Sequence, residues 1–125
     1  MAVDIEIRDD VLCVTLSGTV TRADLMRVGF AMAKVEDDYV IAPPRISDFS
    51  VVETIEVGFD EMLALAEHRR QSNLRNPVRS AIVVANAVQR GMARMFQTLH
   101  DHPLVTLEIF DDYSAAMAWL LADRR

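Results

Sequence analysis

"RISDFSVVETIEVGFDEML", residues 45–63, passes from one backbone period to another. Its opening, Arg45 to Phe49, follows Pro43-Pro44, which forbid a helix before it, and has the composition of a short strand. From Phe59 onward, Met62, Leu63, Leu65 and Ala66 fall at helical spacing. Residues 50–58, with the acids Glu53 and Glu56, the hydroxyls Ser50 and Thr54, and Gly58, read as the loop between them. A strand that leads through a loop into an amphipathic helix is the building unit of a parallel α/β sheet.

Outward from this unit the chain keeps the same rhythm. Upstream, Val3, Ile5 and Ile7 alternate with Asp4, Glu6 and Arg8, the period of a half-exposed strand. Asp9-Asp10 turn the chain into "VLCVTLSGTV", residues 11–20, so the first two strands pair as a hairpin. Thr21, with Asp24 three residues on, reads as a helix N-cap. Leu25, Val28, Met32 and Val35 then form the stripe of a first helix that fades near Asp37-Asp38. Downstream, His68, Arg69, Arg70 and Arg75 make a basic helix end before Asn76-Pro77, where cations favour the negative pole. "SAIVVAN", residues 80–86, is apolar enough for a strand covered on both faces. Val88, Met92, Met95, Phe96 and Leu99 mark a third helix closed by "HDHP", and "VTLEIF", residues 105–110, is a last strand. Asp111-Asp112 cap a final helix bearing Met117, Trp119, Leu120 and Leu121.

The predicted order is β-β-α-β-α-β-α-β-α. It implies an α/β fold with a mixed five-stranded sheet and helices on both faces, strands two to five parallel and strand one antiparallel. With 125 residues and neither linker nor low-complexity segment, residues 1–125 form one domain. Ligands of open parallel sheets bind beyond the carboxyl ends of the strands. On this reading those ends carry Thr19 and Thr21, Asp48 and Ser50, Asn86, and Asp111 and Asp112.

Composition narrows the function. A net charge of −6 argues against a nucleic-acid partner, whose phosphates call for Lys and Arg. No apolar run approaches the ~18 residues of a membrane span and no signal peptide opens the chain, so a cytoplasmic protein is expected. The lone Cys13 lies in an apolar run, which predicts a buried thiol in a reducing compartment.

Asp48, Asn86, Asp111 and Asp112 either hold a hard cation or serve as helix caps and turn residues. No acid pair follows a single strand, which favours the second reading. His68, His100 and His102 lack metal-ligand spacing, and the last two sit at a helix end where a cation complements the dipole. Ser17, Ser47 and Ser50 lack a nucleophile motif, and Gly18, Gly29, Gly58 and Gly91 form no phosphate cradle. No catalysis, metal or cofactor is therefore expected. Arg90 and Arg94 stand four apart in the first half of the third helix, against its dipole. They either reach anions at the strand-end edge or are solvated. The candidate binding residues on that edge are Asp48, Ser50, Asn86, Arg90, Arg94 and Asp111. Most of the seven methionines fall on helical apolar stripes and read as core, while the apolar surplus of the third helix marks it as a candidate homodimer face. Val51, Val52, Ile55 and Val57 either form a partner-binding patch or close the core over the sheet end.

"DFSVVETIEVGFDEML", residues 48–63, resembles the strand–loop–helix segment of STAS domains, the anti-sigma factor antagonist or SpoIIAA-like family. Asp48 matches the strand-end acid, Ile55-Glu56 an Ile-Asp pair, and Met62-Leu63 the helix start. "GMARMFQTL" and "VTLEIFDDYSAAMAWL" are similar to small bacterial STAS/Sec14-like proteins. The resemblance implies a SpoIIAA-like fold and a non-enzymatic protein-interaction or regulatory module. Its Sec14-like side implies, as the alternative, a small apolar ligand such as a lipid or fatty acid between the second and third helices. Where the family carries a phosphorylatable serine at the helix start, this chain has Val57 and Gly58, so the family's phosphate switch does not carry over.

Overall fold

The computed structural model describes residues 2–122. The elements follow in the expected order: β1 (Val3–Arg8), β2 (Val11–Thr21), α1 (Arg22–Asp38), β3 (Arg45–Glu56), α2 (Phe59–Arg70), β4 (Val78–Val83), α3 (Ala87–Leu99), β5 (Val105–Phe110) and α4 (Tyr113–Leu121). The strands lie in the sheet in sequence order. β1 and β2 pair antiparallel across the two-residue Asp9-Asp10 turn, whose φ values of 55° and 62° place both residues in the left-handed region. β2 to β5 are mutually parallel.

Sequential parallel strands joined by right-handed crossovers send every crossover helix to one face. That face holds α1, α2 and α3. Leu12, Val14 and Leu16 of β2 pack there with Leu25, Val28 and Met32 of α1 and Leu65 of α2, and Ile82 and Val84 pack with Ala93 of α3. α4, which crosses nothing, takes the other face, where Val11, Cys13, Ile46, Ala81 and Val83 meet Ala116 and Leu120. The period of two along each strand supplies both cores, and Cys13 is buried as its apolar run predicts.

Local chemistry sets the helix ends. Thr21 and Asp24 form a reciprocal capping box: the Asp24 amide donates to Thr21 Oγ1 at 3.3 Å, and the Thr21 amide to Asp24 Oδ2 at 2.9 Å. The Gly58 amide donates to Glu61 Oε1 at 2.8 Å, while Asn86 and Asp112 cap α3 and α4 with their side chains. Arg79 of β4 closes the far end of α4, donating to the carbonyls of Trp119 and Ala122 and lying 5.5 Å from the Trp119 ring centroid.

One element departs from expectation. β3 does not stop at Phe49 but runs on to Glu56, so the stretch read as a loop is mostly strand. β4 pairs with β3 only along Arg45–Asp48. Beyond that point β3 pairs with β2 alone, through register shifts at Thr15/Ser17 and Gly18/Thr19, with Gly18 at φ +63°. The result is a two-stranded ribbon that outruns the rest of the sheet. Val52 is buried whereas Thr54, two residues on, is exposed, because a strand interrupted by bulges loses the strict period of two by which a strand is recognised.

Candidate functional site

The strand-end residues singled out from the sequence do not converge on one centre. With β3 extended, Asp48 and Ser50 lie within the strand rather than at its end, and the Ser50 amide donates to Asp48 Oδ1 at 2.9 Å. Asn86 accepts from the Gln89 amide at 2.9 Å as the cap of α3. Arg90 reaches an anion, as one reading of it held, but the partner is Asp111. Arg94 is exposed. These are caps and a surface ion pair, and a half-exposed pair of this kind contributes little stability. Of the loop valines, Val52 is core at 7% exposure and Ile55 and Val57 pack against it, so closing the core is the reading that holds for them. Val51 alone stays outside, at 58% exposure.

The most specialised chemistry lies at the opposite end of the sheet. The crossover helices run back toward the starts of the strands, so the C-terminal turns of α1, α2 and α3 meet the first residues of β3 and β4 there. Glu36 of α1, Arg45 of β3 and Arg69 of α2 come together, each only 3% exposed. Glu36 Oε2 accepts from Arg45 at 2.7 Å and also from Arg69. A second Arg69 nitrogen donates to the Gly29 carbonyl at 3.3 Å. Two guanidiniums share one carboxylate, which leaves one positive charge in excess. The carbonyl ends of α1 and α2 offset part of it, each by about 0.3–1 kcal/mol. A unit charge about 4 Å away at a near-surface dielectric is worth roughly 4 kcal/mol, so the excess remains the larger effect.

His100, the C-cap residue of α3, completes this end. It is 7% exposed, and its ring stacks on Phe96 at a centroid distance of 5.0 Å. Neither ring nitrogen makes a hydrogen bond of normal geometry, and Arg45 Nε is likewise buried without a partner. Burial first, then the charges of Arg45, Arg69 and His102, push the imidazole pKa down to about 4, with only the backbone of Arg69 pulling the other way. The ring is neutral at pH 7. His100 therefore does not serve the α3 dipole as a cation, contrary to the expectation from its helix-end position. Burial and the Arg69 charge also lower the Arg45 pKa, against the pull of Glu36.

Above this cluster, between the sheet and α1–α3, lies a cavity of about 90 Å³. Its walls are apolar, among them Leu16, Met32, Phe49, Met92 and Phe96. Arg45, Ser47, Arg69, Ser80, Gln89 and His100 supply its polar lining, while Glu36 is not among the residues that line it. Arg45 and Ser80 are register partners on adjacent strands, which fixes their side chains to the same face. Gln89 at the other end is held by its own bonds to the Ala85 amide and the Val52 carbonyl.

Sequence reasoning passed over this cluster. By sequence Arg45 opens a strand and Arg69 belongs to a basic helix end that complements the dipole. The signal was present in Glu36, which stands four residues after Met32 and eight after Val28 on a face that is otherwise apolar.

No protein-family model matches the chain, and no curated protein matches it. Among solved structures it is similar to an uncharacterized protein of the DUF3478 family with a SpoIIAA-like fold from Shewanella loihica. The TM-score is 0.61 at 18% identity, over 95% of this chain and 92% of that one. It is also similar to an anti-sigma factor antagonist from Mycobacterium paratuberculosis, with a TM-score of 0.58 at 18% identity, over 94% and 92% of the two chains. Likeness at this identity speaks to fold alone. Together with the mixed five-stranded sheet and its helix order, it establishes that the chain has the SpoIIAA-like fold expected from the resemblance of residues 48–63.

Proposed function

We propose that the protein is a non-enzymatic interaction module whose partner docks on the β2–β3 ribbon and the adjoining start of α2. The observation that carries this reading is the pair of large apolar side chains held out there, Val51 at 58% and Phe59 at 55% exposure. Both are fixed on regular backbone rather than on a loop tip. Exposed Glu53, Glu56 and Asp60 flank them. The chemistry of this surface calls for a protein partner with an apolar patch rimmed by Lys or Arg. A second copy of the chain is a poorer fit, since two acidic rims would face each other. One structural neighbour is an anti-sigma factor antagonist, which supports an interaction role on this fold. With Val57 and Gly58 at the start of α2, the proposed role does not use a phosphate switch at that point.

A carrier of a whole lipid is the weaker reading. Such a pocket takes on the order of 300 Å³ or more, and the interior cavity measures about 90 Å³.

The test is the variant Val51→Glu/Phe59→Glu, compared with wild type for association by sedimentation and by crosslinking in the producing cell. The reading expects a salt-sensitive complex that the variant loses without a change in melting temperature. A variant that keeps every association of the wild type overturns it.

A further inference from the structure

We propose that the cavity beneath α1–α3 is a binding site for a short monocarboxylate of about two to four carbons, its carboxylate held by Arg45 and Arg69 beside His100. The inference is independent of the docking surface, since neither Val51 nor Phe59 lines the cavity.

Three observations converge on an anion. The excess positive charge of the cluster borders the cavity, because Arg45 and Arg69 both line it and Glu36, their shared carboxylate, does not. Arg45 Nε is buried without a partner, so at least one charged donor is left for an acceptor. His100, more than nine-tenths buried, also lines the cavity with neither nitrogen in a hydrogen bond of normal geometry, and one of them carries a proton to donate. A buried charge left without compensation is strongly disfavoured, and an anion at this point would supply the missing partner.

The remaining lining decides which anion. A dianion such as phosphate would overshoot a single excess charge and would meet Phe49, Met92 and Phe96 over the rest of its surface. Chloride would meet the charge but leave the apolar space unfilled. A carboxylate with a short alkyl tail matches both ends of the cavity. Size sets the length: a cavity of about 150 Å³ accommodates benzene, so a smaller one takes an acid of roughly acetate to butyrate size.

The experiment is a titration of the intact protein at neutral pH, followed by calorimetry and by amide chemical shifts. The probes are propionate, its neutral isostere propionamide, octanoate and chloride. The site predicts that propionate binds at least about tenfold more tightly than propionamide, the usual order for losing a hydrogen bond to a charged group. It also predicts shifts at Arg45, Arg69 and His100, and no competition from chloride at equal concentration. Ala93→Leu, which fills the cavity from α3 without touching the charges, should abolish propionate binding. Should that variant fail to fold, the comparison of acid with amide on the wild type remains decisive. Equal or absent binding of acid and amide overturns the proposal. So does equal competition by chloride, or a folded Ala93→Leu protein that still binds propionate. Octanoate binding more tightly than propionate would also overturn it, in favour of a long-chain ligand.

Discussion

Glu36 stands on the face of α1 that Leu25, Val28 and Met32 otherwise keep apolar, and it is the only acid in contact with two buried guanidiniums among the described residues. Removing its charge would leave both arginines buried and unpaired. Glu36→Gln should therefore lose roughly 3–5 kcal/mol by urea denaturation. A variant within 1 kcal/mol of wild type, taking ~1 kcal/mol as the worth of a surface pair, would show that solvent reaches the cluster. His100 gives a second prediction at this scale. Its folded pKa of about 4 lies below its ordinary 6.5, so the unfolded chain binds the proton more readily. Stability from this residue is full above pH 6.5 and is lost as the pH falls from 6.5 toward 4. The loss amounts to roughly 3 kcal/mol over that window. The groups that face the ring are Arg45 from β3, Arg69 from α2 and His102 beyond α3. His100→Gln should flatten the dependence between pH 6.5 and 5, above the range of ordinary carboxylates. An unchanged slope would place the ring in solvent. Sequence alone told little at this scale, because charge on a helix face reads as solvated unless its partners, 9 and 33 residues away, are known.

At the scale of elements much more was legible. Helix caps at Thr21, Asn86 and Asp112 and the Asp9-Asp10 turn follow from local chemistry, and each stands where its residues place it. The turn offers a test: Asp10 holds a φ of 62°, a conformation that costs a side-chain-bearing residue about 1 kcal/mol or more and glycine nothing. Asp10→Gly should raise stability by up to roughly 1 kcal/mol. A loss would mean that the Asp10 side chain supports the turn in another way. The extension of β3 was not legible, because its bulged pairing with β2 depends on Gly18 and its neighbours, some 35 residues earlier in the chain, rather than on period two within the strand itself. Adjacent positions there now have opposite fates. Val52→Glu buries an unpaired charge and should lower stability by several kcal/mol, whereas Val51→Glu should leave the melting temperature nearly unchanged. Similar melting of the two variants would contradict the strand.

Across the whole molecule, the two ends of the sheet differ in construction. The amino ends of the parallel strands are closed beneath three helices around a charged cluster that borders a small cavity, and the carboxyl ends carry an extended ribbon with Val51 and Phe59 held outward. The general rule for open parallel sheets pointed to the carboxyl edge. It remains the edge on which the proposed partner docks, though through ribbon residues rather than through Asp48, Arg90 and Asp111. The interaction claim is tested most directly by placing a photo-crosslinking residue at position 51, 59 or 34 in the cells that produce the protein. Lys34 is exposed on α1, toward the opposite end of the molecule, and serves as the control. The account predicts one discrete complex with a different protein from positions 51 and 59, weakened by salt and absent from position 34. No complex from positions 51 and 59, or the same complex from position 34, would contradict it.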